Sequence, residues 1–308
     1  MTDLTIIIPT YNRADILRET LDSLLRLETP DISYEVIVVD NNSRDNTKEV
    51  VDSFFDKIPI KYLFEGKQGK NNAVNSAIEI SKGNVLIFID DDVTVESDYL
   101  IKITESLDKY GSVNVFGGKI LTAWPDKTPT WVIYSSKNFP YLFCDHNLGS
   151  EVVPYSDAPL PGGANFWIRK SLLDKYGARF NEKYGPAGNK RVSGSETEFL
   201  KRMYSKGEAI LYIPDAVVHH RVLLSEFSIA KLLHRFAATG KSSANSSVSY
   251  SDRTIFNIPL YLFKQLFSEL IKLFVYLGTF RKDKYMNALI RLGYFWGRIN
   301  GFASLRNK

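Results

Sequence analysis

The stretch Val85–Asp92, Val-Leu-Ile-Phe-Ile-Asp-Asp-Asp, decides the fold class of this chain. Five consecutive apolar residues predict a strand that is buried on both faces, as strands of parallel sheets are. Three carboxylates follow directly, and neighbouring carboxylates repel one another unless a cation is present. Because alternate residues of an extended chain point the same way, Asp90 and Asp92 share a direction and Asp91 does not. The stretch therefore predicts a buried strand that ends in a cation site.

Strands and helices alternate in the chain before this stretch. Apolar runs predict strands at Leu4–Ile8, Glu35–Val39 and Ile60–Phe64. Helices are predicted between them, one with Asp15 as its N-cap and another at Ala73–Ser81. This alternation implies crossover connections and a parallel sheet. Ligands of such sheets bind beyond the carboxyl ends of the strands, and the aspartates lie at that edge.

The middle of the chain is less regular. Val113–Ala123 and Ala209–Ile213 predict strands, and Ser195–Lys206 predicts a helix. Trp124–Gly163 is rich in proline, asparagine and aromatic residues, which is typical of binding loops and lids. Gly240–Asp252 is small and polar and predicts a mobile linker.

The chain from Ile255 onward has a charge of its own. It carries nine basic and two acidic residues, a net charge of +7, whereas the whole chain has +4. In a helix predicted at Pro259–Phe280, the polar side chains fall within an arc of roughly 140°. They are Lys264, Gln265, Ser268, Glu269 and Lys272. Such a one-sided stripe favours a helix lying in a membrane interface over one that spans the membrane.

A second helix is predicted at Tyr285–Phe302. Its glycines Gly293, Gly297 and Gly301 recur every fourth residue, which lets another helix approach closely. Three basic residues recur seven apart on one face: Lys284, Arg291 and Arg298. We expect this basic tail to contact the membrane surface. The alternative is packing on the rest of the chain or on another subunit, so a homo-oligomer through these helices stays open.

The overall composition is that of a folded protein, with 44% apolar and 24% charged residues among 308. The main body has no basic run that would indicate a nucleic-acid partner. The single cysteine, Cys144, cannot form an internal disulfide and fits a reducing compartment. Met1–Ile8 has neither the basic start nor the length of a signal peptide. We expect a cytoplasmic protein, peripheral on the inner face of the cell membrane.

Five motifs, taken in order, resemble those of the inverting glycosyltransferases of family 2, which have the GT-A fold. They are Ile8-Pro9-Thr10-Tyr11-Asn12-Arg13, Val38-Val39-Asp40-Asn41-Asn42-Ser43, Gly69-Lys70 with Ala73-Val74-Asn75, Asp90-x-Asp92, and Pro161-Gly162-Gly163-Ala164-Asn165. The resemblance runs from Ile6 to about Lys241. It implies an α/β fold of the GT-A type, a Rossmann-like, mostly parallel central sheet flanked by helices, followed here by a C-terminal amphipathic helical extension. The expected parts are a nucleotide-sugar-binding half (1–93), an acceptor-binding half (94–254) and a membrane-associating region (255–308).

The resemblance also implies site residues. In the family, the aspartate matching Asp40 typically hydrogen-bonds the nucleotide base, and the lysine matching Lys70 lies near the nucleotide sugar or phosphates. The residues implied for nucleotide-sugar binding are Pro9, Thr10, Tyr11, Arg13, Asp40, Asn42, Lys70, Asn75, Asp90, Asp91, Gly163, Ala164 and Asn165. Asp92 and His220 are the expected metal ligands, for Mn²⁺ or Mg²⁺, which prefer hard oxygen ligands.

Two pairs of neighbouring residues leave the assignment open. Glu196 stands where the family usually has an aspartate as catalytic base, and Glu198 is its rival. Residues two apart on a helix face different sides, so only one can point into the site. Adjacent histidines rarely ligate one ion from a single strand; His220 matches the family better, which leaves His219 a structural role.

The expected reaction moves a sugar from a nucleoside-diphosphate sugar, with UDP favoured, to a hydroxyl of a saccharide or lipid-linked acceptor with inversion. The sequence lacks the Gln-x-x-Arg-Trp segment of similar processive synthases, so one or a few sugars per acceptor are expected. A nucleotidyltransferase acting on sugar phosphates would need a glycine-rich loop where Pro9–Arg13 stands. A third hypothesis is a catalytically weak membrane-bound scaffold, and only the glutamate at position 196 supports it.

Overall fold

The structure, a computed structural model, describes residues 3–29, 31–156, 160–187, 190–192, 194–246, 254–256 and 258–304. The strands are β1 (Leu4–Thr10), β2 (Tyr34–Asp40), β3 (Ile60–Phe64), β4 (Val85–Phe88), β5 (Val93–Val95), β6 (Val115–Ala123), β7 (Val153–Pro154), β8 (Phe166–Arg169), β9 (Gly185–Ala187), β10 (Lys190–Val192), β11 (Ile210–Arg221), β12 (Thr254–Ile255) and β13 (Ile258–Pro259). The helices are α1 (Ala14–Leu24), α2 (Thr47–Asp52), α3 (Lys70–Ile80), α4 (Tyr99–Lys109), α5 (Thr130–Ser136), α6 (Lys170–Tyr176), α7 (Ser195–Ser205), α8 (Ile229–Ser246), α9 (Leu260–Gly278) and α10 (Lys282–Ser304). Short 3₁₀ turns lie at Pro140–Phe143 and Leu224–Phe227.

The chain folds into two compact units. The first comprises Met1–Ala123 and Cys144–Arg221, and the second comprises Trp124–Phe143 and Val222–Lys308. These bounds differ from the expected boundaries at residues 93 and 254. The reason is that α5 and α8 both pack on the C-terminal helix α10. The irregular segment expected to form one binding loop, 124–163, is accordingly divided between the two units.

One mixed sheet forms the centre of the first unit, in the order β3-β2-β1-β4-β8-β6-β11-β5, with β7 paired to β11. Strands β1 to β4 are mutually parallel, and β8 runs antiparallel between β4 and β6. Neighbouring residues of β1 belong to separate apolar clusters, Ile6 with Leu17 of α1 and Ile7 with Ala77 of α3. Both faces of the sheet are therefore covered by helices, which confirms the expected fold class.

The register of the parallel strands brings the polar strand ends to one edge. Thr10, the last residue of β1, pairs with Asp40, the last residue of β2. On the other side of β1, Ile7 pairs with Phe88, so β4 ends at the same edge just before the aspartates. The carboxyl ends of these three strands therefore meet where the ligand edge was predicted.

Two local predictions in the first unit are wrong. Asp15 is not the N-cap of α1 but lies in its first turn; the main-chain N–H of Ala14 donates to Asp45 Oδ2 at 3.0 Å instead. Strand β11 runs eight residues past the predicted end at Ile213, to Arg221. Pro214 and a register shift between Ile213 and Val217 interrupt the apolar run, but the residues beyond them pair with β5 and β6 and extend the strand.

The helices α8 and α10 of the second unit touch through glycines. A Cβ placed on Gly297 would lie 2.0 Å from the carbonyl oxygen of Ala237, and one on Gly240 would lie 2.1 Å from that of Tyr294. The close approach predicted from the glycine spacing is therefore confirmed. The predicted linker from Gly240 is wrong up to Ser246, because α8 continues through it and its small residues let α10 pack closely. Residues 247–253 of that segment lie outside the described part of the chain.

Helix α9 buries its acid and exposes its aromatic residues. Glu269, assigned from the sequence to the polar stripe, is only 3% exposed, and Oε1 lies 2.8 Å from Lys272 Nζ and 3.1 Å from Arg291 Nε. Phe274 and Phe280, in contrast, are 71% and 95% exposed. Within the described residues, none of the helices combines the length and hydrophobicity needed to cross a bilayer.

Candidate functional site

A guanidinium bridges two members of the aspartate triplet. Arg13 Nη1 lies 2.6 Å from Asp91 Oδ1, and Nη2 lies 2.9 Å from Asp92 Oδ2. The other oxygen of Asp91 accepts a hydrogen bond from Thr10 Oγ1 at 2.7 Å. Burial raises the pKa of Asp91 to about 6 against the opposing charge of Arg13. Asp91 thus faces β1 and Arg13, away from the direction that Asp90 and Asp92 share.

A lysine ammonium joins the third aspartate to the candidate base. Lys70 is the first residue of α3 and follows Gly69, whose φ of 138° suits glycine alone. Its Nζ lies 2.6 Å from Asp90 Oδ1 and 2.7 Å from Glu196 Oε1. Burial opposes the charge of Lys70, but the two carboxylates outweigh it and raise its pKa above the usual value. Burial likewise opposes ionisation of Asp90, and Lys70 holds the pKa of that carboxyl below its usual range.

Three side chains form a candidate metal centre. Ligand atoms of Asp90, Asp92 and His220 all lie within 4.8 Å of one another. Asp92 Oδ1 is buried and has no hydrogen-bond partner among the described residues, while His220 Nε2 lies 3.2 Å from it. A buried carboxylate oxygen without a donor is unfavourable, and a cation would satisfy it. Two carboxylates and an imidazole therefore fit a divalent cation in chemistry and spacing.

The two histidines lie on opposite sides of β11. His220 faces Asp92, whereas His219 Nε2 lies 2.5 Å from Glu96 Oε1 near the surface. Burial lowers the pKa of His220, but the thiol of Cys144 together with Asp92 and Asp90 outweighs it and raises the pKa to about 10. The alternation of side chains along a strand places only His220 in the triplet's environment.

The two glutamates of α7 also point in different directions. The Glu196 carboxyl lies against Gly163, where an added Cβ would come within 2.5 Å of Glu196 Cδ. Glu198 Oε1 instead accepts a hydrogen bond from Arg202 Nε at 2.7 Å, on the same helix. The absence of a side chain at Gly163 therefore makes room for Glu196 in the site.

A small cavity lies between Lys70, Asp90, Gly163 and Glu196. It also touches Pro9, and its volume is about 10 Å³. This is space for roughly one water molecule and far less than ligand pockets usually have. A sugar therefore has to lie on the open rim outside this cavity or displace the Lys70 side chain.

Asp40 stands at the other end of the strand edge. Its Oδ1 accepts a hydrogen bond from the Ser43 main-chain N–H at 2.8 Å, and its Oδ2 accepts one from the Tyr62 hydroxyl at 2.7 Å. These bonds hold the carboxylate in one orientation while leaving lone pairs for another donor. Asn42 beside it is exposed and has a φ of 68°. On the same rim, Tyr11 is exposed as well.

Two of the implied binding residues use their amides inside the protein. Asn75 Nδ2 donates to the Phe180 carbonyl, and Asn75 Oδ1 accepts from the Phe180 main-chain N–H, both at 2.9 Å. Asn165 is fully buried; it accepts from the Tyr99 hydroxyl at 2.7 Å and donates to two carbonyl oxygens of the sheet. Ala164 is buried beside it. Asn75 thus ties α3, the helix that begins at Lys70, to the main chain at Phe180, and Asn165 anchors the loop that carries Gly163. A direct contact of these side chains with the donor stays a prediction.

Sequence reasoning gave no role to Asn41. This residue is buried; its Oδ1 accepts from the Gly69 main-chain N–H at 2.7 Å, and its Nδ2 donates to the Lys67 carbonyl at 2.8 Å. It thereby orders the loop that leads to Lys70. The only sequence signal was its place beside Asp40 in a matched motif.

Arg221, the last residue of β11, supports the aspartates. Its main-chain N–H donates to the Asp92 carbonyl at 2.9 Å, and its guanidinium donates to Thr20 Oγ1 at 3.0 Å and pairs with Glu19. Thr20 Oγ1 in turn donates to the Asp91 carbonyl at 2.7 Å. The chain that follows β4 is therefore held by α1 and β11 together.

Comparisons with known proteins agree with this geometry. The family model Glycosyl transferase family 2 matches residues 5–177. The chain is 26% identical over 237 residues to the glycosyltransferase AglE of Haloferax volcanii, covering 74% of this chain and 72% of the relative. It is 25% identical over 296 residues to the succinoglycan biosynthesis protein ExoM of Rhizobium meliloti, covering 94% and 91%.

Two solved structures show the same fold. The mannosyltransferase PcManGT from Pyrobaculum calidifontis, in complex with GDP-Man and Mn²⁺, superposes with a TM-score of 0.59 at 18% identity, covering 100% of this chain and 76% of that one. S. aureus TarS 1-349 in complex with UDP-GlcNAc has a TM-score of 0.59 at 16% identity, covering 99% and 92%. With the family match extending over more than half of its length, the chain belongs to glycosyltransferase family 2.

Proposed function

We propose that this glycosyltransferase moves a sugar from a nucleoside-diphosphate sugar to an acceptor hydroxyl with inversion, using a divalent cation held by Asp90, Asp92 and His220. The observation that carries the proposal is the position of the Lys70 ammonium. It lies 2.7 Å from Glu196 and 2.6 Å from Asp90, so the Glu196 carboxylate and the candidate metal centre share one edge. Inverting transfer needs these two groups side by side.

Glu196 is the proposed catalytic base. Its carboxylate accepts the proton of the acceptor hydroxyl while the hydroxyl oxygen bonds to the anomeric carbon and the bond to the diphosphate breaks on the opposite face. A bound Mn²⁺ or Mg²⁺ supplies Lewis-acid stabilisation of the leaving diphosphate. The Lys70 ammonium donates a hydrogen bond to Glu196 Oε1 at 2.7 Å and so fixes the position of the carboxylate before the transfer. The absence of a side chain at Gly163 leaves the space that the Glu196 carboxyl occupies.

Asp40 is the proposed contact to the nucleotide base. Its fixed carboxylate can accept from an imide or amide edge, which uracil, thymine and guanine all offer. UDP is the favoured nucleotide on the family resemblance. The related structures contain UDP-GlcNAc in one case and GDP-Man in another, so a donor screen has to include both bases.

The decisive experiment is a donor screen that measures release of nucleoside diphosphate from UDP- and GDP-sugars. We expect turnover with Mn²⁺ or Mg²⁺, loss of turnover with a chelator, and recovery when the cation is restored. Asp92→Asn should abolish turnover because it removes an anionic ligand. Asp22→Asn, on the outer side of α1, is the matched control. Equal rates for wild type and Asp92→Asn would reject the metal-assisted mechanism.

We further propose that the second unit places the enzyme at the inner face of the cell membrane, where a saccharide or lipid-linked acceptor is presented. Three exposed aromatic residues of α9 and the following turn support this: Phe267, Phe274 and Phe280. Basic residues alternate with them in the sequence, and exposed aromatic rings beside basic side chains suit an anionic membrane surface.

Vesicle flotation tests the membrane proposal. The triple variant Phe267→Ser, Phe274→Ser, Phe280→Ser should stop floating with vesicles of phosphatidylcholine and phosphatidylglycerol. Phe55→Ser is the control, since Phe55 is an exposed aromatic residue of the first unit. Unchanged flotation of the triple variant would refute this use of α9.

A further inference from the structure

The second unit contains an open apolar groove that the glycosyl transfer does not use. Its volume is about 450 Å³, within the range of roughly 300–1,000 Å³ that ligand cavities have. Three helices line it. They contribute Leu233 and Ala237 from α8, Leu266 and Leu270 from α9, and Leu289 and Trp296 from α10. No charged side chain is among the lining residues, so the groove suits an apolar ligand.

The groove exists because the three helices are not equally close. Glycines bring α10 directly onto α8; a Cβ on Gly293 would lie 3.1 Å from Leu233 Cδ2. In helix α9, Glu269 is buried and paired with Arg291 of α10. This ion pair turns the charged side of α9 toward α10, and the apolar side that carries Leu270 remains exposed to solvent. The apolar surface is therefore left exposed by a specific polar contact.

Charge indicates what fills the groove. At helical spacing, Leu277 lies two turns beyond Leu270 on α9 and Tyr285 lies one turn before Leu289 on α10, so both apolar rows extend in sequence toward the turn between the two helices. That turn and the start of α10 carry Arg281, Lys282 and Lys284, with Asp283 as the acid. An anionic headgroup would be attracted to these basic residues.

A second copy of this chain fits the groove less well. The segment from residue 255 onward has a net charge of +7, and a copy docked face to face would oppose like charges. An anionic lipid meets both properties of the surface, because its chain is apolar and its headgroup is negative.

We infer that the groove between α8, α9 and α10 binds one acyl chain of an anionic phospholipid, drawn out of the bilayer. This inference rests on the membrane contact proposed above. It adds a specific lipid-binding site to a surface whose proposed role is otherwise only to contact the bilayer. The gain in free energy comes from covering the apolar groove, which is otherwise exposed to water.

Trp296 offers a direct readout because it lines the groove. The wild-type chain has four tryptophans, so the fluorescence of Trp296 is obtained by subtracting the emission of Trp296→Phe from that of the wild type. Vesicles contain phosphatidylcholine and phosphatidylglycerol, the latter brominated in the middle of the acyl chain. We expect this difference signal to be quenched.

Two groove-filling variants separate chain binding from simple immersion of Trp296. Ala237→Phe and Leu270→Phe occupy the groove from α8 and from α9, so the quenching should be lost while vesicle flotation persists. Ala238→Phe, on the exposed side of α8, should behave like wild type. Thermal unfolding of each variant identifies any that fails to fold, and the other then carries the test.

The other outcomes overturn the inference. Undiminished quenching in both groove-filling variants would show that Trp296 merely enters the bilayer. Flotation without quenching would leave the membrane proposal intact and remove the lipid site, whereas absence of flotation would reject both. A mass doubling that depends on the groove residues would assign the groove to a second copy. Displacement of the brominated lipid by a polyisoprenyl phosphate at low mole fraction would assign it to a lipid-linked acceptor instead.

Discussion

Two basic side chains pair with the carboxylates of the acidic cluster, and each of them joins two particular acidic residues. Arg13 joins Asp91 to Asp92, and Lys70 joins Asp90 to Glu196. Each of these side chains pairs with particular carboxylate oxygens. Asp92 Oδ1 is left buried without a hydrogen bond among the described residues, with His220 Nε2 3.2 Å away. The orientation of the candidate metal ligands is thus set by neighbouring charges as well as by the strand.

Arg13→Lys tests this orientation. Lysine keeps the charge but cannot bridge two carboxylates, so the rotation of Asp92 is no longer fixed. We expect Mn²⁺ affinity to fall by about 10- to 100-fold, the usual effect of removing a group that orients a metal ligand. Electron paramagnetic resonance of free Mn²⁺ measures this without substrate. Arg18→Lys on the exposed side of α1 is the control, and equal affinities in both variants would contradict the role given to Arg13.

Glu196→Gln tests the base. The amide cannot accept the acceptor's proton, and transfer should fall by about 10²- to 10⁴-fold in kcat. Donor binding should change less, because the metal ligands are intact. Glu198→Gln, whose carboxylate is bonded to Arg202, should keep nearly wild-type kcat. The reverse order of effects would make Glu198 the base.

At the scale of elements, close contacts decide where helices begin, end and meet. The sequence predicts a mobile linker from Gly240, yet α8 continues to Ser246 because Gly240 lies against the main chain of α10. Likewise the polar end of β11 becomes a strand by pairing with β5 and β6. In both cases the local sequence pattern is weak, and a partner distant in the chain supplies the free energy. The buried strands β1, β2 and β4 needed no such partner to be recognised, since continuous apolar runs mark them.

The contact between α8 and α10 can be tested with one methyl group. Gly297→Ala places a Cβ about 2.0 Å from the Ala237 carbonyl oxygen, so the helices must separate. We expect a loss of about 1–3 kcal/mol in the free energy of unfolding of the second unit. Gly278→Ala should be neutral or slightly stabilising, because a Cβ added there would meet no side chain or neighbouring helix within 4 Å. Urea denaturation followed by circular dichroism compares the two, and equal midpoints would refute the close packing.

At the level of the whole molecule, folding also buries polar groups that lie outside the candidate site. His146 donates to or accepts from the Tyr155 hydroxyl at 2.7 Å, and burial lowers its pKa to about 4. Below pH 6.5 the unfolded chain binds a proton that the folded protein does not. Stability should therefore be complete above pH 6.5, decline toward pH 4 and then level off.

His146→Gln should flatten this decline. The shift from 6.5 to about 4 corresponds to at most about 3 kcal/mol. Thermal unfolding of the first unit between pH 7 and 4 measures it, with the exposed His234 replaced by glutamine as the control. An unchanged slope in His146→Gln would show that other groups cause the acid sensitivity.

The amino-acid sequence was enough to identify the family, the parallel half of the sheet and the sheet edge at which Asp40 and the aspartate triplet lie. These follow from short-range apolar runs and from motifs whose order is visible in one dimension. The tertiary structure was needed to show which of Glu196 and Glu198 lies beside Lys70, which of His219 and His220 lies beside Asp92, and that Glu269 of α9 is buried. Those choices depend on side-chain direction against residues far away in the chain, such as Gly163 for Glu196 and Arg291 for Glu269. The strength of such contacts depends on distance and burial, which the order of residues does not contain.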